Sequence, residues 1–553
     1  MNADATAAPA SAAASAGKKA GIAILFLGFL GAIQSADPNI NSTALLKAST
    51  DLGMGTTAAL AASISTLILA ATAITTGMMG HRLGGRRILV AALALSAVGD
   101  LMVAAAPETA FYLLGRALAG IGLGAVYGVG FAFVKDFATG KGGIGAALGT
   151  YMAAAGLGAL IIVFLGSSLV GVDWRAAFLV VPVLSLISIP LCYALLPGKG
   201  KDAENTGEKR PWDFGGQLLL AFAIIAFLVG VSHAADSLTA PITLGGVALG
   251  VILFAVFLLV EKRKGEEGFF PVRLFRDPIF IAAILCGLVY NLTYGATLIS
   301  FTNLFQYAND LSGIKLSSSQ LPFLIAGIAG AILTGKLRGA GKMSRRGALL
   351  AGTIICSAGF VLFAITASSE PSTIWPYLPA LILTGLGITT SSIPYGGLII
   401  EKADPRHYGA VSSSRLTIGQ FWFALGLAGS TVVIDGITRS RIKEKFGTVG
   451  ETAVEKFSVS GQKPTEKGLL QEATVAYGDA FAVMMIVLAV VTLIAGIAAY
   501  LIIRKFGHGE EQDTLPPTPP GGGATPEHVK AEHLEAGPGK AAAPPAAPSP
   551  ATP

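Results

Sequence analysis

Between residues 20 and 503, apolar residues come in fourteen runs of about 20, separated by short polar or glycine-containing breaks. Each run is long enough to cross the ~30 Å hydrocarbon core of a bilayer as a helix. The predicted spans are 20–43, 57–79, 87–106, 110–134, 145–169, 176–196, 214–235, 241–260, 278–302, 317–335, 348–367, 375–400, 410–434 and 479–503. A chain built this way is an all-α polytopic membrane protein. Composition agrees: 53% of residues are hydrophobic and 13% charged, and the mean hydropathy is +0.66, so most of the length lacks the polar surface of a soluble domain.

Charge orients the spans, because short loops rich in Lys and Arg stay on the cytoplasmic side. With the N-terminus inside, that side collects Arg82, Arg86, Arg87, Lys135, Lys141, Lys199, Lys201, Lys209, Arg210, the basic residues of 262–276 and 336–346, Lys402 and Arg406. The opposite short loops hold Lys47, Arg175 and Lys315. Segment 435–478 carries seven more and is expected outside, as a mixed-charge amphipathic helix or lid, since long translocated loops escape the rule. An even number of spans then places both termini in the cytoplasm of a cell with this protein in its plasma or inner membrane. The net charge of +6 thus reports topology and calls for no nucleic-acid partner. Cys192, Cys286 and Cys356 fall inside apolar spans and read as small hydrophobes. The first run, after Lys18 and Lys19, is too long for a cleaved signal peptide and lacks a cleavage pattern.

The domain plan follows from composition and from a weak internal repeat. Residues 1–19 and 504–553, dominated by Ala/Ser and by Pro/Ala/Gly, are expected to be disordered cytoplasmic tails. Gly77 to Arg87 after the second span is echoed by Gly335 to Arg346 after the tenth, and Leu118-Ala-Gly-Ile-Gly122 by Leu383-Thr-Gly-Leu-Gly387. These echoes pair a six-helix bundle at 20–197 with a second at 276–503, leaving 198–275 as linkers and two inserted helices. Duplicated bundles are how many secondary transporters build a central site that opens to either side by rocking.

Ionisable side chains within a bilayer cost at least ~2.5–3.5 kcal/mol at a helix centre, which makes each a functional candidate. Asp37, Asp100, Arg116 and Arg415 are the clear cases. At ~1.5 Å rise per residue the first three lie at comparable depth in the outer half of the first bundle. One arginine cannot fully compensate two carboxylates in low dielectric, so the group is expected to hold one proton near neutral pH, with Arg116 as fixed counter-charge. Two plainer readings stay open: a permanently ionised Asp37–Arg116 pair with Asp100 capped by a hydroxyl, or Asp37 solvated at a helix end before Pro38. Arg415 enters its span from the inner side and is expected to snorkel to lipid phosphates, with substrate contact as the other reading. Tyr127, Tyr151, Asn291, Tyr294, Gln320, Tyr395, Gln420 and Trp422 complete a set of pocket candidates, suited to amphiphilic or aromatic cargo and individually explicable by helix packing. There is no G-x-x-x-x-G-K-[ST] phosphate loop, metal-ligand cluster or nucleophile elbow in the sequence, so neither an ATP-driven pump, a cofactor, a metal nor an enzymatic activity is expected.

Several motifs together resemble the major facilitator superfamily, in particular its fourteen-helix drug:proton antiporter branch. The loop Gly77 to Arg87, with Gly80 and His81, is similar to G-x-x-x-D-R-x-G-R-R at Gly77, Arg82, Gly84, Arg86 and Arg87. Arg116 to Gly120 resembles R-x-x-x-G; Asp37 with Ala44-Leu45 resembles the first-helix motif; Trp174-Arg175, Phe178 and Pro182, Pro271 to Arg276, and Arg415 with Gly419 resemble three further branch motifs. The chain departs from the pattern at His81, where the family has Asp; at Gly156 to Leu160, which lacks the proline and paired glycines of the fifth-helix antiporter motif; and at Asp100, where a small neutral residue is usual. The resemblance implies a major facilitator fold of two six-helix bundles plus two helices, a gating role for the Gly77–Arg87 loop, and a monomer exporting hydrophobic or amphiphilic small molecules in exchange for protons. A dedicated exporter of an endogenous lipid or glycolipid is the alternative within transport. A non-transporting membrane scaffold or sensor is the alternative from another class.

Overall fold

The computed structural model describes residues 10–507 except 55–56, 139–142, 199–212, 235–236, 269, 308–310, 312–314, 316–317, 368–372, 402–406 and 461–467. The two terminal tails beyond residues 10 and 507, and the basic residues Lys141, Lys199, Lys201, Lys209, Arg210, Lys402 and Arg406, lie outside the described residues. The principal helices are α1 (Ala10–Asp51), α2 (Ala58–Leu83), α3 (Gly85–Ala104), α4 (Thr109–Phe137) and α5 (Gly143–Val170); α6 (Trp174–Leu195), α7 (Phe214–Ala234), α8 (Pro241–Lys264) and α9 (Pro278–Phe305); and α10 (Leu321–Gly339), α11 (Arg345–Ala367), α12 (Leu378–Glu401), α13 (Tyr408–Ser460) and α14 (Leu469–Phe506).

Thirteen of these fourteen are both long and apolar enough to cross a membrane. The exception, α12, has the length, at 24 residues, but carries Thr384, Thr389, Thr390, Ser391 and Ser392. Four of these, Thr384, Thr390, Ser391 and Ser392, are buried, and Thr334 of α10 donates to Thr390 at 3.1 Å. A helix surrounded by protein needs less apolar surface than one facing lipid. The contrast is visible elsewhere, since 72% of the most apolar stretch of α4 is buried but only 17% of that of α8.

Helix contacts repeat between the halves. In the first, α1 packs on α5, α2 on α4, and α3 on α4 and α6; in the second, α9 packs on α13, α10 on α12, and α11 on α12 and α14. The echoed Leu-x-Gly-x-Gly segment explains two of these contacts. A Cβ at Gly120 would stand 2.4 Å from the Ser65 carbonyl of α2, and one at Gly122 2.6 Å from the Ser96 nitrogen of α3. In the second half a Cβ at Gly385 would run into the Phe323 carbonyl of α10, and one at Gly387 into the Cys356 nitrogen of α11. Two glycines, spaced to look toward opposite neighbours, thus let one central helix per half touch two others backbone to backbone. The α7–α8 hairpin lies against α2 and α13.

The halves meet along α2 with α13 and α5 with α10, most closely toward the end that carries Arg82, Arg86 and Arg87. There a Cβ at Gly149 would stand 2.6 Å from the Gly335 Cα, and one at Gly77 2.7 Å from the Gly409 carbonyl, distances at which no side chain fits.

Two predicted loops fold differently from expectation. Residues 77–83 are helical, and the only break before α3 is Gly84, at φ +100, whose N–H still caps the Gly80 carbonyl at 3.1 Å. The Gly77–Arg87 loop is therefore a one-residue corner, a turn that glycine makes without steric cost. The first helix likewise continues through Pro38 to Asp51, which removes the reading of Asp37 as a solvated helix-end residue. At the other end, α13 carries on for 53 residues, kinked at Gly447 (φ +66), about 80 Å of helix against a ~30 Å bilayer core. Its overhang pairs with the start of α14 around Ile442, Phe446, Leu469, Ala473 and Ala476. Arg441 bridges Glu472 and Asp479, and Lys445 reaches Glu472 at 2.7 Å, so the described part of 435–478 is a mixed-charge helical pair.

Candidate functional site

Asp37, Asp100 and Arg116 converge although 79 and 16 residues separate the arginine from its partners. Arg116 Nη1 and Nη2 grip the Asp37 carboxylate in a fork, at 2.7 and 2.8 Å, and Nη1 also meets Asp100 Oδ1 at 3.2 Å. Small residues make the convergence feasible: Gly99 and Gly115, adjacent to Asp100 and Arg116, bring α3 and α4 together so closely that a Cβ on either would stand 2.7 Å from a carbonyl of the other helix. All three side chains are at most 1% exposed. Burial of each ion costs several kcal/mol and is repaid only with good geometry and further hydrogen bonds. Asp37 has these, from the arginine fork and from Ser65 Oγ at 3.4 Å; Asp100 Oδ2 has no partner. One positive charge thus faces two acids, with one carboxylate oxygen left over.

A wall of aromatic and amide groups surrounds the cluster. Tyr112 donates to Asn41 Oδ1 at 2.5 Å, and Asn41 in turn donates to the Ala61 carbonyl at 3.1 Å, tying α1, α2 and α4 together one turn from Asp37. Phe178 lies 5.6 Å from the Arg116 guanidinium and packs edge-on against Tyr112 and Trp174. Ser65, Asn41 and Tyr112 were not among the sequence candidates. Asn41, four residues after Asp37 on the same helix face, carried the one usable signal.

Arg415 presents the opposite case. Instead of snorkelling to phosphates it is 3% exposed, enclosed at the seam by rings from both halves: Phe131 and Tyr127 of α4 at 4.6 and 5.8 Å, and Tyr395 of α12 at 5.0 Å. At this level α13 is packed among other helices, so the side chain is held inside the protein and not at the lipid surface. Tyr151 packs edge-on against Phe131 at 5.8 Å, and Tyr127 stacks on Phe131. Cation–π contacts give on the order of 2 kcal/mol each when desolvated, but they satisfy none of the five N–H donors of a guanidinium. Nε has no partner, Nη2 has only the Met152 sulfur at 4.0 Å, and no carboxylate among the described residues pairs with it. Tyr127, Tyr151, Tyr395 and Arg415 therefore come together, joined by Phe131 and Met152, which an apolar run conceals.

The remaining pocket candidates are placed apart. Tyr294 stacks with Tyr290, Phe323 and Phe423 inside the second half. Asn291 donates to the Gly287 carbonyl at 3.0 Å within a π-helical turn of α9, and Trp422 donates to the Ile284 carbonyl at 3.2 Å at the same irregularity. Gln420 is half-buried on α13, and Gln320 sits at the start of α10. Of the corner residues, Gly77 and His81 face the second half, with the His81 ring 6.5 Å from that of Tyr408, whereas Gly80 and Gly85 press on Val129 and Phe133 of α4. Arg86 donates to the Leu196 carbonyl at 3.2 Å and lies over Tyr193, so it braces α3 against α6 within one half; Arg82 is partly buried and Arg87 exposed.

Comparison with known proteins agrees with this architecture. The Major Facilitator Superfamily model matches residues 27–427. Puromycin resistance protein pur8 of Streptomyces alboniger is 26% identical over 423 residues, 74% of this chain and 80% of that protein. Multidrug resistance protein B homolog of Mycobacterium tuberculosis is 27% identical over 465 residues, 80% of this chain and 82% of that protein. The solved structure of the proton:xylose symporter XylE bound to 6-bromo-6-deoxy-D-glucose superposes with a TM-score of 0.54 at 12% identity, over 89% of this chain and 96% of that one, a likeness of fold. With two similarly packed sets of helices, a close-fitting seam between them and a family match across most of its length, this chain is a multi-pass membrane transporter that belongs to the major facilitator superfamily.

Proposed function

We propose that the protein is a proton-coupled exporter of hydrophobic or amphiphilic compounds, working by alternating access as a monomer in the cell membrane with both termini in the cytoplasm. Residues 20–197 and 276–503 act as the two rocking halves, and 198–275 as an inserted hairpin. The observation that carries this reading is the Asp37–Arg116–Asp100 cluster: it is buried, carries one acid more than its arginine balances, and leaves Asp100 Oδ2 unpartnered. A group of this kind loads one proton to become neutral and releases it when water reaches it from the other side. The names of the similar resistance proteins support efflux of small molecules as the task.

The test is uptake into proteoliposomes, under an imposed pH gradient, of a panel of dyes, drugs and lipids. Asp37→Asn keeps the shape of the side chain but carries no exchangeable charge; it should abolish gradient-driven flux while substrate binding stays within about tenfold of wild type. Normal gradient-driven flux in that variant would remove the cluster from coupling. Flux restricted to lipids would favour the lipid exporter, and wild-type vesicles that move nothing across the panel would favour a scaffold or sensor.

A further inference from the structure

Arg415 is a buried cation that the proton cluster does not use, and its surroundings are complete in everything except an anion. Its ring faces are covered by Phe131, Tyr127 and Tyr395, while Nε has no acceptor and Nη2 has only a thioether. The backbone around it is held independently, since Tyr395 Oη donates to the Arg415 carbonyl at 2.7 Å. Beside the Nε edge stands Gly396, where a Cβ would lie 3.0 Å from the Phe131 ring and 3.4 Å from Nε, so any side chain there would crowd the arginine. Gly130, one residue before Phe131, is buried, yet a Cβ there would meet nothing within 4 Å, so α4 has unfilled space beside it at this level. A buried guanidinium whose Nε has no acceptor and whose Nη2 has only a thioether, set among aromatic walls, is complementary to an oxyanion on an apolar body.

We propose that Arg415 is the headgroup receptor of the transport site, and that the cargo is an anionic amphiphile: a carboxylate, sulfonate or phosphate attached to a hydrophobic chain or ring system. The inference rests on the transport reading above and narrows it to a substrate class. The oxyanion takes the N–H donors of Arg415, and its apolar part lies against Phe131, Tyr127 and Tyr151. Because the box is shared between α4 and α5 of one half and α12 and α13 of the other, the bound anion touches both halves across the seam.

The experiment uses the full-length protein in nanodiscs of zwitterionic phosphatidylcholine and measures equilibrium binding of a fluorescent fatty acid, its methyl ester, and an amine of the same skeleton. The wild type should bind the carboxylate at least about tenfold more tightly than the ester, and the amine least, because a charge-assisted fork is lost in each. Arg415→Gln should abolish the carboxylate preference, so that acid and ester bind alike. Arg415→Lys, which keeps a point charge without the planar fork, should restore part of it. Equal binding of acid and ester by the wild type would overturn the proposal, as would an undiminished preference in well-folded Arg415→Gln. Repeating the titration with one fifth phosphatidylglycerol in the disc separates the sources of the oxyanion: competition assigns it to a bilayer lipid, and its absence to a soluble amphiphile, with the site upheld in both. The affinity ratio needs no pH gradient, so an exporter without anion preference and an anion site without proton-driven flux give different results.

Discussion

Two buried arginines, each at most 3% exposed, solve the same physical problem in opposite ways. Arg116 has more counter-charge than it needs, two carboxylates within 3.2 Å; Arg415 has none among the described residues and leans on aromatic faces instead. The difference follows from location. Arg116 is locked within one half, between α1, α3 and α4, where an internal ion cluster can persist whatever the halves do. Arg415 lies across the seam, where a permanent ion pair would glue the halves together and oppose their motion. Aromatic contact, weaker and less directional, is compatible with a surface that would separate in the proposed alternating cycle.

The largest expected effect is on stability, and it should differ in size between the two arginines. Arg116→Gln strands two buried carboxylates and should cost about 3–5 kcal/mol, seen as lost membrane abundance and a lower unfolding temperature of the purified protein. Arg415→Gln removes an uncompensated charge and should leave stability within about 1 kcal/mol of wild type, or raise it, as at other sites where function is kept at the expense of stability. Equal losses in the two variants would erase the distinction. Next in size is Asp100→Asn. With one carboxylate left, Arg116 balances the cluster without a proton, so transport should persist but its pH–rate profile should move to lower pH by about one unit. An unchanged profile would make Asp100 a structural residue and break the idea of a shared proton.

The smallest effect is expected at an ion pair that water reaches. Lys264 Nζ meets both Asp213 oxygens, at 2.6 and 2.7 Å, at the base of the inserted hairpin. Partial burial works against the Asp213 charge, but Lys264, Glu261 and the Gly216 N–H together hold its carboxyl below the usual range. A depressed carboxylate contributes stability above its unfolded value of about 3.9 and loses it as pH falls through the folded one. Lys264→Met should therefore cost under about 1 kcal/mol at neutral pH, and the gap to wild type should close as the medium is acidified below pH 4. A gap that persists in acid would assign the loss to packing of the lysine stem.

Much of the site was legible because charge is conspicuous in an apolar run. Asp37, Asp100 and Arg116 stand out by type, and helical rise placed them at one depth before any contact was known. The Arg415 environment was not legible, because Phe131 and Met152 are ordinary residues for a membrane helix and nothing in their spacing points at an arginine more than 260 residues away. The expectation of snorkelling followed from a rule about lipid-facing helices, and α13 at that point is surrounded by protein. The corner at Gly84 was misjudged for a related reason: basic residues suggested a loop, but backbone hydrogen bonds carry the helix on until a residue can adopt positive φ.

By itself the sequence determined the approximate positions of the apolar helices, the echoed Leu-x-Gly-x-Gly segments and the presence of two acids and one arginine in the first apolar runs. These depend on local composition and on the period of hydrophobicity, which every residue reports individually. Tertiary structure alone decided which face of each helix looks inward, how closely glycines let neighbours approach, and which cation found carboxylates and which found rings. Those outcomes depend on side-chain geometry between segments remote in the chain, where a shift of an ångström separates a paired ion from an unpaired one.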